Sequence, residues 1–296
     1  MMRLSVVMPV YNGGPYLKAA LDSIRGQSFP DYELIVIDDG STDDSLRVLS
    51  AAAAEDRRIR VVSRENRGLT ITLNEGLALA RGDYVARMDS DDISLPERFA
   101  LQVAYLDKHP DCGLVGGQIV LIDPDGRKLT SLPLLCDPDA IVSAMLDGKV
   151  CFAHPAVMFR REIALQIGSY SVDYDCAEDI DFFLRMSEVT KLANLTDTLL
   201  LYRQSLNSIS HQNAKRQNEA GYRATRDAAI RRGLPVRPPT APGQPETRQE
   251  IVRRWAWWAL HSGEVGTARH HAAAALKSGP FDRENWRLAY CALRGR

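Results

Sequence analysis

The stretch Tyr84-Val85-Ala86-Arg87-Met88-Asp89-Ser90-Asp91-Asp92 joins a largely apolar run to three carboxylates. The run before Asp89 predicts a short buried strand. Carboxylates this close together repel one another, and their usual partner is a divalent cation. A cation held by one or two carboxylates commonly carries a substrate's phosphates, which favours an enzyme that handles a nucleotide diphosphate. The alternative is a solvated acidic turn that caps the next helix.

Strand-like and helix-like runs alternate on both sides of this stretch. The predicted strands are Leu4–Val10, Glu33–Ile37, Ile59–Ser63 and Tyr84–Met88. The predicted helices are Pro15–Gln27, one capped by Ser41 or Thr42, Leu69–Ala80 and Leu95–His109. Such alternation predicts a mostly parallel sheet with helices on both faces, an α/β fold. Ligands bind outside the carboxyl ends of such strands. The polar groups that should meet there are Tyr11, Asp38-Asp39, Asn66-Arg67-Gly68 and Asp89–Asp92.

The second half of the chain has a mixed pattern followed by helices. Strands are predicted at Leu114–Ile122, Val157–Phe159 and Leu192–Tyr202, and a helix at Ile180–Met186. Residues 234–247 hold five prolines and indicate a linker. Two short helices are predicted at Arg248–Ser262 and Val265–Leu276, with a third after Pro280.

Composition limits the partners and the compartment. A net charge of −1 gives no reason to expect nucleic acid as a partner. Residues 211–296 carry 16 Lys and Arg against 7 Asp and Glu, so the tail is basic. The five cysteines form no CxxC pair, which indicates reduced thiols in a cytoplasmic protein. No stretch approaches the roughly 20 apolar residues of a membrane span.

The tail leaves two kinds of contact open. Trp255, Trp257 and Trp258 beside Arg253 and Arg254 could form an interfacial helix, placing the protein peripherally at the inner face of the cell membrane. Alternatively, the tryptophans pack the core of the helices or a homodimer interface. We favour this packing interpretation.

Several motifs occur in a specific order: Ser5–Asn12, Glu33–Ser41, Gly82–Tyr84, Asp89–Asp92, His154–Arg160 and Glu178–Phe182. Together they resemble the family 2 inverting glycosyltransferases, over residues 4 to about 210. The resemblance implies a GT-A fold, a Rossmann-like nucleotide-binding half merged with an acceptor-binding half. The domains would then be a catalytic domain at 1–212, a helix and proline-rich linker at 213–247, and a small helical appendage at 248–296.

The resemblance also implies a donor and metal site. Asp91 matches the direct ligand of Mn²⁺ or Mg²⁺, and Asp89 the residue that contacts the ribose or the metal's waters. Asp92 would cap a helix or support the site. Asp39 matches the carboxylate that accepts the N3–H of uracil or thymine. The other implied nucleotide-binding residues are Pro9, Tyr11, Asn66, Gly68 and Ser90.

An inverting transfer needs a carboxylate that deprotonates the acceptor hydroxyl. Asp179 matches the family's base, and a helix N-terminus at this position would favour its ionised form. Glu178 would hydrogen-bond the acceptor. His154 either lines the acceptor or metal region or is structural. Arg203 is a weak phosphate candidate, because Ser205 stands where family members often carry histidine, two residues after the arginine.

The resulting prediction is a metal-dependent inverting glycosyltransferase of the hexosyl or N-acetylhexosaminyl type. It would transfer a sugar from a nucleotide-sugar donor, with a UDP-sugar favoured, to a hydroxyl of a glycan or glycolipid. The family suggests a role in bacterial surface polysaccharide synthesis. One alternative is a sugar-nucleotidyltransferase, although the loop Tyr11–Pro15 lacks the basic residues that would hold a triphosphate. The other is a non-catalytic sugar-nucleotide-binding protein.

Overall fold

The computed structural model describes residues 2–206, 214–239 and 246–295. These residues form two compact units. The first comprises the described residues of Met1–Gln118, Leu134–Leu200 and Arg216–Thr240, and the second those of Ile119–Pro133, Leu201–Lys215 and Ala241–Arg296.

Four parallel strands form one half of the sheet, in the order β3-β2-β1-β4. They are β1 (Leu4–Val10), β2 (Tyr32–Asp38), β3 (Ile59–Ser63) and β4 (Tyr84–Arg87). The predicted strands are confirmed, with ends that differ by one residue at most. Every residue of β1 and β2 is buried, as expected for continuous apolar strands covered on both faces.

Three helices connect these strands, namely α1 (Leu17–Arg25), α2 (Ser45–Glu55) and α3 (Leu69–Leu79), and a fourth, α4 (Arg98–Lys108), follows β4 in the chain. The predicted start of α4 at Leu95 is wrong. Residues Ile93–Ser94 form a short strand β5, and the Leu95 N–H donates to the Leu199 carbonyl at 2.9 Å. Pairing with the sheet keeps this segment extended, so the helix begins only at Arg98.

The predicted cap of α2 is also wrong. The Thr42 N–H donates to Asn12 Oδ1 at 2.8 Å, and Ser41 Oγ accepts the Asn12 N–H at 2.9 Å. The loops after β1 and β2 therefore bind each other. The helix begins later, at Ser45, whose N–H donates to Asp43 Oδ1 at 3.0 Å.

The rest of the first unit extends the sheet with antiparallel pairs. The sheet continues from β4 in the order β8-β6-β9-β5, and β8 pairs antiparallel with both β4 and β6. These strands are β6 (Cys112–Ile122), β8 (Met158–Arg160) and β9 (Lys191–Arg203). The helices are α5 (Pro138–Leu146), α6 (Arg161–Gln166), α7 (Glu178–Met186) and α8 (Ala214–Arg231). The sheet is therefore mixed, where the first four strands alone predicted a mostly parallel one.

The second unit packs three helices around small side chains, with a hairpin of β7 (Lys128–Leu132) against the end of β6. The helices are α9 (Arg248–His261), α10 (Val265–Ser278) and α11 (Arg283–Arg294). Thr247 and Glu250 form a capping box at the start of α9. Trp255 is buried with its ring edge-on to His271, which confirms that it packs the unit's interior. Across the described parts of the chain, every helix is too short or too polar to cross a bilayer.

Gly40 lies where the loops after β2 and β3 meet. Its φ is +76°, and a Cβ built there would lie 2.6 Å from the backbone nitrogen of Asn66. Gly14, in the loop after β1, also has a positive φ of +54°, but a Cβ there would meet nothing within 4 Å. An alanine at position 14 would therefore introduce backbone strain alone, whereas an alanine at position 40 would introduce both backbone strain and a steric clash.

We expect Gly40→Ala to lower the free energy of unfolding by about 3 kcal/mol, because left-handed backbone costs about 1–2 kcal/mol and the clash adds to it. Gly14→Ala should cost only about 1 kcal/mol. Urea denaturation followed by circular dichroism measures both values. Equal losses in the two variants would show that the loop carrying Asn66 moves aside at little cost.

Candidate active site

The carboxyl ends of the parallel strands meet at one edge of the sheet. Val10 at the end of β1 lies beside Asp38 of β2, and Asp38 lies beside Ser63 of β3. Just after β4, the Met88 N–H donates to the Val7 carbonyl of β1 at 3.1 Å. Strands β2 and β3 lie on one side of β1, and β4 lies on the other side. The order of the strands across the sheet therefore reverses at β1, and α/β sheets bind ligands at such a topological switch point.

Asp39, just after β2, holds the loop after β3. Its buried carboxylate accepts the N–H of Arg67 at 2.8 Å and of Gly68 at 3.0 Å, and it pairs with the Arg64 guanidinium. Oδ1 takes two of these bonds and Oδ2 takes one. A carboxylate has about four acceptor positions, so Oδ2 can accept one further N–H.

Arg64 is a residue at this edge that the motifs did not reveal. Its Nε donates to Glu75 at 2.7 Å and its Nη2 to Thr72 Oγ1 at 2.9 Å. It therefore links the first turns of α3 to Asp39. Its position directly after β3 was the available signal, because the loops after the strands carry the other polar groups.

The remaining predicted nucleotide residues surround Asp39. Pro9 is buried in β1, beside Ile37 of β2. The Tyr11 side chain is largely exposed, and Asn66 is exposed in the loop after β3. Gly68 has a φ of +87° and opens α3. The structure thus brings these residues to the loops of one sheet edge.

The three carboxylates after β4 form a compact group. Oxygens of Asp89, Asp91 and Asp92 all lie within 4.8 Å of one another. Asp92 is buried, whereas Asp89, Ser90 and Asp91 are partly exposed. Asp92 does not cap α4, because that helix begins at Arg98 with Glu97 as its N-cap residue. An all-oxygen set of this kind suits a hard divalent cation.

Two buried arginines lie next to this group. Arg87 pairs with Asp89, and although burial works against its charge, Asp89 holds the pKa of Arg87 above its usual value. Arg98 donates to the backbone carbonyls of Arg87 at 2.8 Å and Val157 at 3.2 Å. Burial and the like charge of Arg87 lower the pKa of Arg98 to about 9.

Glu178 and Asp179 form the first turn of α7. Burial, together with the neighbouring Asp179 charge, raises the pKa of Glu178 to about 7. Burial also raises the pKa of Asp179, although the Ile180 N–H, 2.8 Å from Oδ1, and the Arg87 charge both lower it. The helix N-terminus does favour the ionised form of Asp179, as expected, but it does not decide the net pKa, which is raised. The local donor is present, but the loss of solvent outweighs it.

Arg87 connects the acidic group after β4 with the acidic pair of α7. Its charge lowers the pKa of both Glu178 and Asp179, and Asp89 raises the pKa of Asp179. Because these effects fall off steeply with distance, the two groups of carboxylates share one electrostatic environment. The fold thus brings together segments that are about 90 residues apart in sequence.

His154 is buried beside the same arginine. Its Nε2 lies 3.0 Å from the Tyr170 hydroxyl. Burial and the Arg87 charge hold the pKa of His154 well below its usual range, so the imidazole is neutral. It can exchange hydrogen bonds here but cannot supply a positive charge to a phosphate.

Arg203 belongs to the second unit. Its Nη1 donates to the backbone carbonyls of Asp123 at 3.2 Å and Pro124 at 3.0 Å, which holds the turn after β6. The phosphate role suggested for it stays a prediction. Asp123 of this turn also belongs, with His270 and His271, to a second group of residues that could hold a metal ion. There, His271 Nε2 already lies 3.0 Å from Asp123 Oδ2, and Arg127 pairs with the same carboxylate.

A cleft of about 550 Å³ opens beside α7. Tyr170 forms part of its wall, and Asp181 and Arg185 line it as an ion pair. Because none of the carboxylates after β4 lines it, we assign it no part in the chemistry. The pairing of Asp181 with Arg185 gives this carboxylate a structural role.

Comparison with known proteins identifies the family. The model of glycosyl transferase family 2 matches residues 5–168, more than half of the chain. The chain belongs to this family. The O-antigen biosynthesis glycosyltransferase WbnJ of Escherichia coli is 32% identical over 204 residues, which cover 68% of this chain and 79% of WbnJ.

Solved structures show that this glycosyltransferase has the GT-A fold. The mannosyltransferase PcManGT from Pyrobaculum calidifontis, solved with GDP-Man and Mn²⁺, superimposes with a TM-score of 0.59 at 19% identity, covering 99% of this chain and 84% of PcManGT. Residues 1–349 of S. aureus TarS, solved with UDP-GlcNAc, give a TM-score of 0.57 at 19% identity, covering 99% and 80%.

Among the described residues of this glycosyltransferase, two groups could hold a metal ion, and Mn²⁺ should distinguish them. We expect Asp91→Asn to weaken Mn²⁺ binding at least about tenfold, because the site loses a negatively charged oxygen ligand. His270→Ala should leave binding unchanged, because Asp123 is already engaged by His271 and Arg127. Calorimetric titration of Mn²⁺ in the presence of UDP measures both. The reverse pattern would place the metal in the second unit.

The raised pKa of Glu178 predicts a stability that depends on pH. The ordinary pKa of 4.5 rises to about 7 on folding. The contribution of Glu178 to the free energy of unfolding is therefore fully present below pH 4.5 and is lost as the pH rises through 7. We expect the free energy of unfolding of Glu178→Gln to exceed that of the wild type by about 3 kcal/mol at pH 8, and by little near pH 5. Urea denaturation at both values measures this.

The matched control is Glu162→Gln, which changes an exposed carboxylate in the first turn of α6. It should leave the pH dependence of stability as in the wild type. A Glu178→Gln profile that runs parallel to the wild type would show that Glu178 ionises normally.

Proposed function

We propose that this enzyme transfers a sugar from a nucleotide-sugar donor, with a UDP-sugar favoured, to a hydroxyl of a glycan or glycolipid, with inversion at the anomeric carbon. The observation that carries the proposal is the shared environment of Asp89–Asp92 and of Glu178 and Asp179 around the buried Arg87. One group is suited to hold the donor's diphosphate through a cation, and the other to accept a proton. Family membership supports this division of roles.

The carboxylates after β4 would hold Mn²⁺ or Mg²⁺. Asp91 and Asp89 are the proposed ligands, and Asp92 supports them from its buried position. The donor set is all oxygen, which fits either ion. A bound cation would neutralise the negative charge that develops on the leaving diphosphate. The neighbour PcManGT was solved with Mn²⁺, which is consistent with this assignment.

The loops after β1 to β3 would bind the nucleotide. Asp39 Oδ2 has room for one further donor, and the N3–H of uracil would fill it. The exposed Tyr11 ring is available to stack on the base. Pro9, Asn66, Gly68 and Ser90 complete the proposed nucleoside pocket. Guanine also presents a ring N–H, and the neighbours carry GDP-Man in one case and UDP-GlcNAc in the other, so the donor must be measured.

Asp179 is the proposed base. Its Oδ1 accepts the Ile180 N–H, which leaves Oδ2 to take the proton of the acceptor hydroxyl as that oxygen attacks the anomeric carbon. Its raised pKa increases its affinity for that proton. Glu178 would hydrogen-bond the acceptor, and neutral His154 would line the same region. Asp179 must lose its own proton before it can act as the base.

A role in bacterial surface polysaccharide synthesis is supported by the relative WbnJ, which is named for O-antigen biosynthesis. We propose the same class of pathway here, with transfer of a hexosyl or N-acetylhexosaminyl group in the cytoplasm. The proposed catalytic domain is residues 1–212. Residues 213–247 would act as a helix and linker, and residues 248–296 as an appendage.

We expect one donor from a panel of UDP-, dTDP- and GDP-sugars to release its nucleoside diphosphate slowly with Mn²⁺. Asp179→Asn should reduce the rate about 100-fold or more, the usual loss when a general base is removed. The wild-type rate should rise with pH, because the raised pKa of Asp179 keeps the proposed base protonated at lower pH. Asp173→Asn changes an exposed carboxylate just before α7 and should retain the wild-type rate.

The same panel separates the alternatives. Pyrophosphate release from UTP and a sugar phosphate would indicate a nucleotidyltransferase. Metal-dependent donor binding with no release, even when glycan acceptors are added, would indicate a non-catalytic binding protein. A rate that Asp179→Asn leaves unchanged would remove Asp179 from the role of base.

A further inference from the structure

The helix α11 presents an apolar stripe to solvent. Trp286, Tyr290 and Leu293 are 60%, 58% and 69% exposed, and their spacing of four and three residues places them on one face. Phe281, just before the helix, is 97% exposed. Single exposed apolar residues are common, but three on one face of a helix, with a fourth just before that helix, mark an interaction surface.

This stripe is held in place by the packing of the opposite face. Leu288, Ala289 and Ala292 of α11 are buried in the core of the second unit. The Trp286 indole N–H donates to the Pro280 carbonyl at 2.8 Å, which fixes the indole ring. The apolar side chains are therefore displayed by an ordered helix.

A row of arginines lies along one side of the stripe. At 3.6 residues per turn, positions 283, 287 and 294 fall on the face next to that of the stripe. The Arg294 guanidinium stacks on the Tyr290 ring at 5.3 Å from its centroid. Glu284 is the acidic residue of α11, and it pairs with Arg287 at 3.4 Å. The surface is therefore basic as well as apolar.

We propose that Phe281 and the stripe of α11 bind the surface of an anionic lipid bilayer. Tryptophan and tyrosine favour the interface between lipid and water, and arginines beside them attract acidic headgroups. A second copy of the chain is a poorer partner, because two faces with the same excess of positive charge repel each other. The proposal does not depend on the proposed transfer reaction, and it places the contact on α11 instead of Trp255, which is buried.

Vesicle flotation of the full chain tests the proposal. Vesicles of phosphatidylcholine with phosphatidylglycerol should carry the protein to the top of the gradient, and pure phosphatidylcholine should carry much less. The double variant Trp286→Ser with Leu293→Ser should lose at least about tenfold in vesicle binding, since apolar insertion and charge attraction act together. Arg283→Gln with Arg294→Gln should weaken binding and reduce its dependence on salt.

The matched control is Val150→Ser, which removes a side chain that is 75% exposed in the first unit. It should bind vesicles as the wild type does. Binding that the double variant on α11 leaves unchanged, or no binding to anionic vesicles, would overturn the proposal. A dimer detected by light scattering that this double variant dissociates, without vesicle binding, would overturn it in favour of a second copy. Circular dichroism confirms that each variant is folded.

Discussion

The buried guanidinium of Arg87 is the constraint on which the candidate site depends. Asp89, Asp91 and Asp92 follow β4, and Glu178 and Asp179 open α7. Bringing five carboxylates into one partly buried region would be prohibitively unfavourable without a positive charge among them. Arg87 pairs with Asp89 and lowers the pKa of the α7 pair, so it offsets part of this repulsion. Arg98 contributes little to neutralising these carboxylates by direct ion pairing, because its guanidinium donates hydrogen bonds to backbone carbonyls. The region therefore remains acidic enough to attract a cation.

The part of the edge that we propose binds the nucleotide is organised by hydrogen bonds between loops. Asn12 joins the loop after β1 to Ser41 and Thr42, and Asp39 joins the loop after β2 to Arg67 and Gly68. Each loop is short, and its conformation is determined by its neighbour. This arrangement positions the polar groups before any ligand arrives, which lowers the entropy lost on binding. It also explains why a glycine occupies position 40, where the backbone of the next loop approaches closely.

The acidic pair of α7 shows how tertiary structure can reverse a local effect. A helix N-terminus stabilises a carboxylate, and the Ile180 N–H does bond Asp179. Burial by the surrounding chain is stronger, so the pKa values of both carboxyl groups rise. A base with a raised pKa holds its proton more strongly and matches a site that works near neutral pH. Burial also makes His154 neutral, although nothing in the sequence around it predicts this.

Apolar periodicity by itself determined the strands β1 to β4, their helices and the C-terminal helices, because continuous apolar runs can be buried in few ways. The same periodicity placed Asp39 and Asp89–Asp92 just after strands, and the Glu178–Asp179 pair at the start of a helix. It did not reveal β5, which is held extended by Leu199, or the true start of α2, because both depend on partners distant in sequence. The roles of Arg64 and Arg87 likewise required the folded chain, since a lone arginine is ordinary until its neighbours are known. Which tryptophan is exposed was also decided by packing: Trp255 fills the core of the second unit, whereas Trp286 faces solvent because the small side chains on the opposite side of α11 are buried.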